Sequence, residues 1–138
     1  MNHRKLVLPE HMNSQGSLFG GYLLKWLDEF AYITAQLEFP GRRFVTIAMN
    51  NVEFRHPITC GQILRFTVKR ARLGTTSVEY SVRVYDEREV GDRDDGHHDG
   101  DDDGDDDDGV LFATKITFVN LDDDGGKMPI RPREKNHD

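Results

Sequence analysis

In the stretch HMNSQGSLFGGYLLKWLDEF (11–30), the pair Gly20-Gly21 opens an apolar segment that carries a carboxylate, Asp28, eight positions later. If a helix starts at the glycines, its first N–H groups have no intrahelical partner and lie at the positive end of the helix dipole. With no side chain on either residue, a ligand carbonyl can come close to those donors, an arrangement that can serve as an oxyanion hole. Asp28 would then sit two turns into the helix with Leu24, Leu27, Ala31 and Tyr32 around it. Such surroundings tend to desolvate a carboxylate and make it more basic, as a general base requires. The competing reading is a helix-edge carboxylate beside Glu29, on a polar face already marked by Lys25.

The elements that must hold these groups are legible from period. Leu23, Leu24, Leu27, Phe30, Ala31, Thr34 and Ala35 recur at three- and four-residue steps, which predicts an amphipathic helix from Gly20 or Gly21 to about Leu37. Pro40 and Gly41 end it. The period then becomes two. FVTIAMNNVEF (44–54) alternates but shifts phase at Asn50-Asn51, which predicts a bulged strand. ILRFTVKRARL (63–73), TSVEYSVRVYDE (76–87) and VLFATKITFV (110–119) read as half-buried antiparallel strands, with a short strand at Lys5–Leu8. The order β-α-β-β-β-β makes an α+β domain whose sheet needs the helix to cover its apolar face.

At 138 residues, one domain is expected: residues 1–121, interrupted by an acidic low-complexity insert at 91–109 and followed by a flexible tail, 122–138. The net charge of −7 comes from that insert. Residues 92–108 hold eleven Asp and one Arg; removing them from 25 acidic and 18 basic residues leaves 14 and 17, a body of about +3. That suits an anionic small molecule and falls short of a nucleic-acid footprint. The insert has no apolar anchor and reads as a solvated loop. Asp99, Asp101, Asp103 and Gly104 match the first half of an EF-hand loop, but its twelfth position is Val110, so no metal site is assigned, nor one at His97-His98. The lone Cys60 excludes an internal disulfide, and no secretory leader or 18-residue apolar run occurs. The expectation is a cytoplasmic protein with no membrane association.

Three ordered segments carry a resemblance. HMNSQGSLFGGYLLKWLDE, VEFRHPITCGQIL and LGTTSVEYSVRVY resemble the H-x-N-x-x-G-x-x-F-G-G-x-L-L-x-x-x-D-E, F-x-x-P-I-x-x-G and G-x-T-S segments of hotdog-fold acyl-CoA thioesterases. The match spans about residues 6–120 apart from the insert. It implies a hotdog fold, an antiparallel sheet of about five strands wrapped around one long central helix, and hydrolysis of acyl-CoA to free acid and CoA. It implies no cofactor, CoA being part of the substrate. By carry-over, Asp28 acts as general base on water or as nucleophile, and Asn13 from the opposite subunit orients the water or thioester; Gly20 and Gly21 supply the oxyanion N–H groups. Arg55, Arg70, Arg72, Gly74, Thr75, Thr76 and Ser77 would contact the CoA arm. The ordinary alternatives are solvated strand-end cations and turn chemistry. The family implies a homodimer, often a trimer of dimers.

Two other functions stay open on the sequence. A hotdog dehydratase or hydratase would carry a D-x-N-P-x-H spacing, and PEHMN does not supply it. A non-catalytic acyl-CoA sensor would be expected to carry a helix-turn-helix, for which the ten residues before the motif leave no room. His11 and His56 each precede a turn and receive no catalytic role. A Cys60 nucleophile would need a base that the sequence does not place. Tyr22 and Trp26 fit either core or subunit interface.

Overall fold

A computed structural model describes residues 1–88 and 109–131. Strand β1 (Asn2–Leu6) leads through a 3-10 turn at Pro9–His11 to helix α1 (Gly20–Glu38). Strands β2 (Phe44–Phe54), β3 (Ile63–Leu73), β4 (Ser77–Asp86) and β5 (Val110–Asn120) follow. All pairings are antiparallel, in the order β1-β3-β4-β5-β2. One long helix against a five-stranded antiparallel sheet is the hotdog arrangement that the sequence predicts.

Alternation decides which face meets the helix. Leu64, Phe66 and Val68 of β3, Val78, Tyr80, Val82 and Val84 of β4, and Phe112, Ile116 and Phe118 of β5 are buried. They pack with Leu23, Trp26, Leu27, Ala31 and Ala35 of α1 in one core. Trp26 therefore belongs to the core. The hydroxyl of buried Tyr80 donates to Glu38 Oε1 at 2.8 Å. Burial, and then that bond to a carboxylate, push its pKa far above the ordinary tyrosine range.

Strand β2 departs from this pattern. It is an edge strand, and Val45, Ile47, Val52 and Phe54 are exposed, Ile47 to 57% and Phe54 to 60%. Its register with β5 shifts between Asn50 and Glu53, where Asn51 adopts φ 57°. This is the bulge expected from the Asn-Asn phase shift, and asparagine is among the side chains that tolerate a left-handed backbone.

Two expectations need correction. The first strand lies at Asn2–Leu6, paired with β3, instead of Lys5–Leu8. Leu8 instead precedes the 3-10 turn fixed by Pro9. Nor does a flexible tail begin at residue 122. Asp122 Oδ1 accepts the N–H groups of Asp124 and Gly126, closing a turn. Ile130 is fully buried and donates its N–H to Thr75 O, while Arg42 Nε donates to Ile130 O. One apolar side chain among the charges anchors the segment. The acidic insert, with the EF-hand-like aspartates and His97-His98, lies outside the described residues except for its last glycine, Gly109.

At the N-terminal edge, His3 stacks on Phe30 at 4.7 Å, and its Nε2 lies 3.0 Å from Thr34 Oγ1. Burial, then the nearby N-terminal ammonium, lower its pKa from 6.5. The folded chain thus resists a proton that the unfolded chain accepts. The contribution is complete above pH 6.5 and is lost as pH falls through the lower folded value. We expect Tm to fall over that window and the fall to shrink in His3→Gln; an unchanged slope in the variant refutes the assignment.

Candidate active site

Phe19 precedes the first turn of α1 and gives no side-chain cap. Its own N–H is used by His11 O at 2.9 Å, and Tyr22 N–H turns back to Phe19 O at 3.0 Å. The N–H groups of Gly20 and Gly21 are left without a partner among the described residues. A cleft of about 230 Å³ opens at this mouth, lined by Ser17, Gly20, Leu23, Phe54, Arg55 and His56 among others. A Cβ at Gly21 would stand 2.8 Å from the Phe19 ring, and one at Gly20 would point toward Phe54. Glycine at 21 avoids a clash with the Phe19 ring, whereas the 3.8 Å contact to Phe54 at position 20 would be an ordinary one.

The loop before the helix is a closed hairpin. Asn13 N–H donates to Ser17 O at 2.7 Å, Met12 bridges Leu18, and Leu18 N–H reaches Ile58 O. Asn13 Oδ1 accepts two backbone N–H groups, from Gln15 at 2.7 Å and Ser17 at 3.1 Å. That double acceptance fixes the amide orientation, because an NH2 group cannot accept. Nδ2 donates to Ser17 Oγ at 3.3 Å and retains a second N–H. Asn13 thus shapes the turn and keeps one amide N–H without a partner among the described residues.

Asp28 lies on the half-buried face of α1, and its Oδ1 accepts the hydroxyl of Thr46 on β2 at 2.6 Å. Among the described residues its Oδ2 has no hydrogen-bond partner. Thr46 was not singled out in the sequence, since only the crossing of α1 over β2 pairs it with Asp28. Ser17, Phe54 and His56 lie in the segments that carry the resemblance, but a turn and a strand end do not show from sequence which of their side chains line a cleft.

The chain alone does not bring all these groups together. Eight residues of helix rise about 12 Å, so Asp28 cannot reach a carbonyl seated on the Gly20 and Gly21 N–H groups of its own chain. The expected CoA contacts also divide. Arg55 lines the cleft, with Nε and Nη2 donating to Glu53 Oε1 at 3.0 and 2.6 Å. The Gly74–Ser77 turn lies at the opposite end of the sheet, where Thr76 O accepts Asn120 N–H and Asn120 pairs with Phe44. Gly74 N–H donates to Ser77 O. Arg70 stacks over Phe39 at 5.4 Å and lies 3.9 Å from Glu38, at the C-terminal end of α1; Arg72 is exposed. No group of three or more potential metal ligands occurs among the described residues.

Comparison with known proteins gives this geometry a context. The model of the thioesterase superfamily matches residues 15–91. Mouse acyl-coenzyme A thioesterase 11 is 37% identical over 83 residues, covering 60% of this chain; the chain spans only 14% of that relative's length. The acyl-CoA hydrolase of Staphylococcus aureus, solved with butyryl coenzyme A, coenzyme A and coenzyme A disulfide, aligns with TM-score 0.70 and 28% identity, covering 98% of this chain and 73% of its own. That hydrolase has also been solved as alanine variants of a threonine, an aspartate and an asparagine. A hexameric hotdog-fold thioesterase of Campylobacter jejuni aligns with TM-score 0.70 and 27% identity, over 94% of this chain and 88% of its own. Among the described residues no helix is long and apolar enough to cross a membrane.

Proposed function

The chain belongs to the thioesterase superfamily of hotdog-fold proteins, and from that premise we propose that it hydrolyses acyl-CoA thioesters to free acid and CoA. The observation that carries this reading is the pair of unclaimed N–H groups at Gly20 and Gly21, at a helix mouth where Gly20 lines a cleft, with a Thr46-held carboxylate on the same helix. The thioester carbonyl oxygen sits on the two glycine N–H groups, which stabilise the charge that develops during attack. Asp28 takes a proton from water through its open Oδ2 as the water oxygen bonds to the carbonyl carbon. Collapse of the tetrahedral adduct breaks the C–S bond, and the proton returns to the departing thiolate. Asn13 serves through its remaining N–H as a donor to the water or the thioester. The S. aureus hydrolase has been altered at an Asn, an Asp and a Thr, the residue types that this chain carries at Asn13, Asp28 and Thr46, of which Asp28 and Thr46 are in contact.

The site is built by two copies. Gly20 faces Phe54 at the end of β2, and Asp28 faces Thr46 near its start. A two-fold axis that pairs two β2 edges antiparallel sets the end of one strand beside the start of the other. The helix mouth of one chain then meets Asp28 of its partner, and Arg55 of one meets the Gly74–Ser77 turn of the other. The CoA arm would run between them, with Arg70 and Arg72 beside that turn. An open edge strand with exposed Val45, Ile47, Val52 and Phe54 supports this pairing, because such an edge invites a further strand. The hexameric C. jejuni neighbour supports a higher oligomer; its arrangement here as a trimer of dimers is part of the proposal. No cofactor, nucleic acid or membrane is invoked, and the proposed location is the cytoplasm.

A thiol-release assay with short, medium and long acyl-CoAs tests the activity; no release from any of them removes the proposal. Ile47→Asp is expected to leave secondary structure intact, to convert the oligomer to monomer by light scattering, and to abolish thiol release. An active monomer would overturn the shared site.

A further inference from the structure

His11 is a polar side chain that the proposed chemistry does not use, yet it is only 5% exposed. Its Nδ1 accepts the N–H of Leu8 at 2.9 Å, so its neutral ring carries the proton on Nε2. Its own N–H donates to Leu8 O at 2.9 Å. Tyr22 and Trp26, one turn apart on α1, hold the ring edge-on at 4.8 Å each. Its carbonyl accepts Phe19 N–H, closing the base of the loop that has Asn13 near its tip. One residue therefore ties the turn before the loop, the loop itself and the first turns of the helix.

We propose that His11 is a positioning residue: by holding Leu8 through Nδ1 and Phe19 through its carbonyl, it sets the Asn13 amide relative to the Gly20 and Gly21 donors. The proposal rests on the thioesterase reading, since Asn13 and the glycines must serve one reaction for their spacing to matter. A neutral hydrophobic ring would fill the aromatic box equally well, so packing alone does not call for a histidine. What the imidazole adds is an acceptor for a backbone N–H that would otherwise be left unpaired. Loss of that acceptor frees the turn, and a displacement of about 1 Å at a reacting group can cost on the order of 10²-fold in rate.

Asparagine and glutamine separate the two ring nitrogens. The Oδ1 of His11→Asn stands near the place of Nδ1 and can accept from Leu8; the Oε1 of His11→Gln stands near that of Nε2 and cannot. Steady-state thiol release is measured for wild type, His11→Asn, His11→Gln and His11→Phe, with Tm and oligomeric state alongside. The expected result is kcat within about threefold of wild type for Asn and at least about tenfold lower for Gln and Phe, with KM little changed. If Phe fails to fold, the Asn and Gln pair still decides. Equal kcat across the variants, losses that follow Tm alone, or rescue by Gln in place of Asn would overturn the assignment. A wild type that releases no thiol fails the thioesterase reading instead, which the unmodified chain reveals before any variant is made.

Discussion

Asp28→Asn is expected to lower kcat for thiol release by about 10²–10⁴-fold, the usual worth of a positioned general base. The substitution keeps shape and retains an oxygen that can accept the Thr46 hydroxyl. Tm and oligomeric state should therefore stay near wild type, and KM should change little, because the carboxylate serves the transition state more than the bound thioester. Stopped-flow or end-point thiol detection with an acyl-CoA checks the rate. Retention of more than a tenth of wild-type kcat would remove Asp28 from the chemistry and leave it a helix-edge carboxylate bonded to Thr46.

The second large effect falls on Asn13. Its Oδ1 already caps the N–H groups of Gln15 and Ser17, so what it can offer a substrate is an N–H. Asn13→Asp preserves the acceptor that shapes the loop and removes the donor. Loss of one donor to a developing oxyanion costs about 10²–10³-fold in kcat. We expect a loss of that size with Tm unchanged. If Asp at this position proves as active as Asn, the residue is a loop cap alone. Asn13→Ala discriminates less well, because it also strips the cap and so disturbs the loop.

Much of this fold was written in local pattern. Residues that alternate on β3, β4 and β5 are buried on one face and meet the three- and four-residue stripe of α1. Asn50-Asn51 announced a bulge because the phase of β2 breaks there. Length and register of the first strand were not legible, since β1 is held by pairing with β3 and by a proline turn after it. Nor was the burial of Ile130, where a single apolar side chain outweighs a run of charged neighbours.

Of the proposed site, the helix mouth and the carboxylate stand out in the sequence, and the contact between Asp28 and Thr46 does not. Gly20, Gly21 and Asp28 stand close in sequence, so helix geometry alone relates them. Thr46 depends on a tertiary crossing, and the exposed apolar face of β2 reads as an ordinary half-buried strand until its place at the sheet edge is known. His11 resembled any histidine before a turn; its burial against Tyr22 and Trp26 arises only when the loop folds over the helix.

The central claim, one site assembled from two chains, is tested most directly by mixing. Purified Asn13→Asp and Asp28→Asn proteins, each nearly inactive, are unfolded together in equal amounts, refolded, and assayed for thiol release. Each mixed dimer would unite an intact Asn13 of one chain with an intact Asp28 of the other, so activity should return to about a quarter of wild type when subunits pair at random. A mixture that exchanges subunits, by mass spectrometry, yet stays as inactive as either parent would contradict the account.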